Sequence, residues 1–131
     1  AEPRLGEGRS DFFVETSSGN IWIEVKNVTY GYEGVVSFPD SVSKRASRHL
    51  CELESRVLKG ERGIVLFLVS REDAQSLSLS NGIDKVFEQT LAEVQVNGVE
   101  VLPLKLRFSE NEISQNCFDI SAEITGQLPI G

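Results

Sequence analysis

Apolar and polar residues alternate cleanly from Ile21 to Asn27, the signature of a strand whose two faces meet different surroundings. Residues 11 to 16, Asp-Phe-Phe-Val-Glu-Thr, predict a partner strand, and the intervening Ser17-Ser18-Gly19-Asn20 is a strong turn signal. Residues 28 to 37 predict a third strand interrupted at Gly31 and Gly34. Pro39-Asp40-Ser41 then reads as a helix start, with Asp40 as the capping residue. Val42, Ala46, Leu50, Leu53 and Val57 follow at helical spacing, and Lys59-Gly60 ends the helix. Ile64 to Val69 is an unbroken apolar run that predicts a strand buried on both faces. After a polar loop over Ser76 to Gly82, Ile83, Val86, Phe87, Leu91 and Val94 mark a second amphipathic helix closing at Asn97-Gly98. Val99 to Phe108 predicts a further strand, and the tail from Ser109 is too weakly patterned to assign. The order β-β-β-α-β-α-β predicts an α/β domain, a mixed β-sheet flanked by helices.

Composition narrows this picture only in part. With 131 residues, 40% of them hydrophobic, the chain suits one globular domain over residues 1–131. No apolar run approaches the roughly 20 residues that cross a bilayer. The sequence contains no methionine, which predicts a piece of a longer protein. Cys51 and Cys117 are expected to be reduced, partly buried thiols, and a single histidine, His49, argues against a zinc site. The formal charge of −7 disfavours a protein that simply coats nucleic acid. The charge is uneven, however: from residue 72 onward ten acids face three bases, whereas Lys44, Arg45, Arg48, Arg56, Lys59 and Arg62 gather near the middle. There is no Walker loop, dinucleotide fingerprint or G-x-S-x-G elbow.

The chemistry concentrates on the second strand. Alternation puts Trp22, Glu24 and Lys26 on one face, a carboxylate beside an ammonium. If Ser17 to Asn20 form a four-residue loop, Thr16 pairs with Ile21, Phe13 with Glu24 and Asp11 with Lys26, which brings Asp11, Glu24 and Lys26 onto a common face. Two carboxylates on adjoining strands suit Mg²⁺, which prefers oxygen ligands. A Glu-x-Lys triplet alone is a weak signal. From pattern alone, a solvated strand face with Asp11 capping a turn is the favoured reading.

A longer match changes the balance. Arg9-Ser10-Asp11-Phe12 is similar to the Arg-x-Asp-Phe strand of the sugar fermentation stimulation protein A (SfsA) family, and Ile23-Glu24-Val25-Lys26-Asn27-Val28-Thr29 resembles its Glu-Val-Lys-Ser-Val-Thr segment. Phe38-Pro39-Asp40-Ser41-Val42-Ser43, Arg45, His49-Leu50 and Glu52-Leu53 resemble its Phe-Pro-Asp-Ala-x-Thr stretch and the helix after it. Ile64 to Val69, Gly98 to Leu102 and Leu128-Pro129 continue the likeness in order. Ser43, Ala46 and Arg48 stand where the family has Thr, Gly and Lys.

The resemblance implies a restriction-endonuclease-like PD-(D/E)xK core and a metal-dependent nuclease acting on DNA or RNA. Asp11 and Glu24 would bind Mg²⁺ or Mn²⁺, with Lys26 as the catalytic lysine and Glu2 as an upstream assisting acid. Pro39-Asp40 follows the Glu-x-Lys strand and so is not the Pro-Asp that names the superfamily. The family's N-terminal OB-like domain has no counterpart in these residues. The competing expectation is a non-catalytic nucleic-acid-binding or regulatory module, with Lys44, Arg45 and Arg48 contacting phosphates. His49 is expected to be a packed helix residue, with general acid as the alternative. The default expectation for location is cytoplasmic, with an organelle left open.

Overall fold

A computed structural model describes residues 11–131 and, in backbone only, the two short paired strands β1 (Arg4–Leu5) and β2 (Gly8–Arg9). Strands β3 (Phe12–Thr16) and β4 (Gly19–Val28) form the expected hairpin, but through a two-residue turn. Thr16 pairs with Gly19, its Oγ1 accepts from Ser18 N at 3.1 Å, and Gly19 takes a φ of 123° that a side chain would resist. Short strands β5 (Gly31–Tyr32) and β6 (Val35–Ser37) follow, then helix α1 (Lys44–Val57) and strand β7 (Arg62–Val69). Strand β8 (Ser76–Ser78), helix α2 (Lys85–Val96), and strands β9 (Glu100–Ser114) and β10 (Cys117–Gln127) complete the chain.

The main sheet has the order β10-β9-β7-β4-β3. Its three central strands run parallel and both edge strands are antiparallel, so the sheet is mixed as expected. The third predicted strand exists as β5 and β6, but it joins a separate sheet, β5-β6-β8. Ser76–Ser78, read from its serines as loop, pairs in parallel with β6 because Leu77 between them is fully buried. The tail beyond Ser109 extends β9 and forms β10 instead of remaining irregular. Its long hairpin is mostly exposed, so no buried face imposes a strict alternation on the sequence.

Both helices cover one face of the main sheet. That face presents Trp22, Glu24, Lys26 and Val28 from β4 beside Gly63, Val65, Phe67 and Val69 from β7. Leu50 and Leu53 of α1 and Phe87, Leu91 and Val94 of α2 pack into the same core. Phe38 stands between Phe67 and Phe87, with ring centroids 5.3 and 5.4 Å away. Gly63 lets α1 approach closely, since a Cβ there would lie 3.2 Å from the Leu53 carbonyl oxygen. On the opposite face, Ile64, Leu66 and Leu68 are only partly covered, so β7 is not buried on both sides as its apolar run predicted. Phe12, Val14, Ile21, Ile23, Val25, Leu104 and Leu106 extend this second apolar surface across neighbouring strands.

Helix α1 begins later than expected. Its N-cap is Ser43, whose side chain accepts from Ala46 N at 3.1 Å, while Asp40 and Val42 lie exposed ahead of the helix. The second carboxylate in this region does the larger structural work. Asp84 caps α2 by accepting from Phe87 N at 3.1 Å, and its other oxygen accepts from Ser43 N at 2.9 Å. One buried side chain thus ties together the starts of both helices. The cysteines are free and exposed, against the expectation of partial burial. Partial desolvation of the exposed Cys51 thiol, followed by the nearby Glu54, Glu93 and Glu52 charges, raises its pKa above the ordinary value.

Candidate active site

Strand β4 delivers Trp22, Glu24 and Lys26 to the helix-covered face. Glu24 is only 4% exposed, a position a carboxylate rarely takes without partners. Its Oε1 lies 3.2 Å from Lys26 Nζ and 2.7 Å from His49 Nδ1 of α1. The Lys26 contact is a charge-assisted hydrogen bond. The His49 contact is closer still, but its ring N–H is not aligned with the oxygen, so it is an electrostatic contact and not a formed hydrogen bond. Among the described residues Glu24 Oε2 is buried and has no partner.

Asp11 reaches this group by a route different from the one expected. Thr16↔Gly19, Phe13↔Trp22 and Phe12↔Ile23 are the pairs, in place of Thr16–Ile21, Phe13–Glu24 and Asp11–Lys26. The turn is two residues shorter than assumed, an even shift that preserves which face each side chain takes. Asp11 precedes the paired segment, and its Oδ2 accepts from Val25 N at 2.7 Å. The carboxylate substitutes for a strand carbonyl at the point where β3 leaves β4. It therefore sits beside the Glu24-Val25 peptide and not across from Lys26. Glu24 and Lys26 meet directly, Asp11 is held against the backbone of the Glu24-Val25 peptide, and Glu2 lies outside the described residues.

Next to this group, Trp22 is held from three directions. The tilted Phe13 ring packs against it with centroids 4.4 Å apart, the Arg56 guanidinium lies 4.5 Å over the indole, and Trp22 Nε1 donates to Glu61 Oε2 at 2.9 Å. Donation from Trp22, then from Asn20, holds the Glu61 carboxyl below its ordinary range. Neither partner of Trp22 on α1 or after it was legible from sequence, because their separations of 34 and 39 residues leave no local signature.

Lys44, Arg45 and Arg48 are exposed on the first turns of α1, the helix that carries His49. Arg48, with its side chain 63% exposed, has only a loose 3.9 Å contact with Glu52. Arg45 precedes His49 by one turn and so shares its side of the helix. Among the described residues no group of three His, Cys, Asp or Glu side chains is arranged to hold a metal ion. Two carboxylates remain a sufficient protein contribution for Mg²⁺, which retains waters and takes substrate phosphates for its other positions.

The sequence pattern described as "Sugar fermentation stimulation protein RE domain" matches residues 1–112. The sugar fermentation stimulation protein homolog of Desulforamulus reducens is 43% identical over 112 residues, covering 86% of this chain and 47% of that protein. The homolog of Geobacter metallireducens is 39% identical over 131 residues, covering 98% of this chain and 53% of its own length. The structure of Pyrococcus furiosus SfsA in complex with Ca²⁺ superposes with a TM-score of 0.82 at 28% identity, over 99% of this chain and 53% of that one. The chain thus spans about half the length of these relatives, and the structural likeness agrees with a nuclease-like α/β fold.

Proposed function

Because the chain belongs to the sugar fermentation stimulation protein family, we propose that it is a divalent-metal-dependent nuclease hydrolysing phosphodiester bonds of DNA or RNA. The observation that carries this reading is the Glu24 carboxylate, buried against Lys26 and His49 with its second oxygen unpartnered among the described residues. A buried acceptor left in this state is costly unless something else satisfies it. Asp11, fixed beside the Glu24-Val25 peptide, supplies a second hard oxygen donor. Together they fit Mg²⁺ or Mn²⁺, and the relative from Pyrococcus furiosus forms a complex with Ca²⁺, another oxygen-seeking ion.

When bound, such an ion polarises a phosphoryl oxygen and makes a water more acidic. The chain's own residues do the rest. Asp11 and Glu24 hold the cation, and Lys26 orients the attacking water or stabilises charge on the phosphate. Lys44, Arg45 and Arg48 offer exposed phosphate contacts that place the backbone of the nucleic acid. No helix among the described residues is long and apolar enough to cross a membrane.

Calorimetric titration of Mg²⁺ and Mn²⁺ into wild type, Glu24→Ala and Lys26→Met, alongside cleavage assays, tests the reading. Glu24→Ala is expected to lose metal binding. Lys26→Met is expected to keep it while cleavage falls about 10²- to 10³-fold, as for loss of a preorganised charge contact. Wild-type metal affinity in a folded Glu24→Ala protein would refute the assignment. A non-catalytic module, the second reading, would instead bind nucleic acid through the exposed basic turns of α1, with no cleavage in Mg²⁺ and no effect of Glu24→Ala.

A further inference from the structure

The unequal treatment of the two oxygens of Glu24 carries a further consequence. Oε1 meets Lys26 at 3.2 Å and His49 at 2.7 Å, whereas Oε2 is buried with no partner among the described residues. The two partners of Oε1 are of different kinds. Lys26 lies on the same strand, two residues away, on a flexible four-carbon stem that can swing toward a substrate. His49 comes from α1, and its rigid ring is fixed by the core around it. Ala46, Leu50 and Leu53, on the same helix, are all buried.

We propose that His49 is a positioning residue for Glu24, holding Oε1 so that Oε2 faces a divalent cation while Lys26 remains available for the reacting water or phosphate. This rests on the reading of Glu24 as a metal ligand. The chemistry of the contact supports a donor role. With Nδ1 held 2.7 Å from a carboxylate oxygen, the tautomer with its proton on Nδ1 is the one that can donate to Glu24. The poor alignment of that proton fits a site whose contacts tighten when its ligand is present. Carboxylates that bind metals are themselves held by such outer contacts, and loss of one typically weakens metal affinity about 10- to 100-fold. His49 is thereby more than core filling, although its place among Ala46, Leu50 and Leu53 would serve either purpose.

The test compares His49→Asn with His49→Gln, both polar and uncharged. The Asn amide nitrogen falls near the position of Nδ1 and can donate to Oε1; the Gln amide falls nearer Nε2 and cannot. With folding confirmed by circular dichroism and thermal unfolding, Mn²⁺ calorimetry should show about 10- to 100-fold weaker binding for His49→Gln. His49→Asn should recover most of the wild-type affinity. As the chain has one histidine, ¹⁵N spectra of the wild-type protein report its ring without ambiguity. They should show the proton on Nδ1, and both ring signals should move when Mn²⁺ is replaced by diamagnetic Mg²⁺ and titrated. A bare Nδ1, or a folded His49→Gln protein that binds metal like wild type, overturns the positioning role while leaving Glu24 as a ligand. A wild-type protein that binds no metal, or a Glu24→Ala protein that still does, overturns the ligand assignment itself, and the positioning role falls with it.

Discussion

Glu24 and Lys26 were readable as a pair because strand alternation alone puts them on one face, and β4 keeps that alternation. For Asp11 only the parity held: the assumed loop was two residues too long, the expected pairing with Lys26 does not form, and an error of one would have exchanged the faces of the strand. No pattern of residue types could have announced that its carboxylate would replace a strand carbonyl at Val25 N. The contact of His49 with Glu24 was likewise hidden, because helix periodicity says which side of α1 faces inward but not what lies beneath it. The Glu61 carboxyl bears on a measurable property. Its folded pKa is lowered from 4.5, mainly by donation from Trp22 and then Asn20, so its contribution to stability is complete above about that pH. As the pH falls through the lower, folded value, the contribution disappears. Glu61→Gln should therefore be less stable than wild type near neutrality and show a shallower loss of stability on acidification, as followed by urea unfolding between pH 7 and pH 3.

At the scale of elements, strands β3, β4, β7 and the first half of β9 were well announced and the start of α1 was not. Pro39-Asp40-Ser41 carries every sign of a helix beginning, yet Ser43 takes the cap because Asp84, 41 residues away, accepts from its N–H. A tertiary contact thus decides a local boundary. Asp84→Ala should remove the cap of α2 and leave the Ser43 N–H without its acceptor. Adding a cap to an unpaired buried donor gives an expected loss of about 2–4 kcal/mol in chemical denaturation. Asp84→Asn, with one acceptor oxygen, should lose less. The basic start of α1 has a different signature. If Lys44, Arg45 and Arg48 each contact a phosphate, replacing any one with Ala should reduce the slope of log affinity against log salt by about 1 while the fold stays intact. Equal slopes in filter-binding or anisotropy titrations would remove these residues from the interface.

The molecule as a whole is two-sided. The mixed sheet and its pair of helices were legible, since long periodic segments dominate the pattern. The small β5-β6-β8 sheet and the β9-β10 hairpin were not, because short or exposed strands need no strict alternation. Both helices pack on the face carrying Glu24, and the reverse face bears an apolar field from β3 across to β9. Phe12 on that field is 57% exposed, Phe108 is 55% exposed and Ile124 is 62% exposed. This architecture blurs a familiar laboratory distinction. Environment-sensitive dyes light up on exposed hydrocarbon, and their emission is ordinarily taken as the mark of a loosened, partly molten chain. Here the intact chain already offers such a surface, so dye emission at room temperature would accompany full near-ultraviolet dichroism, and a dye-based melting curve would start from a raised baseline. Only the dichroism would tell a native sample from a damaged one.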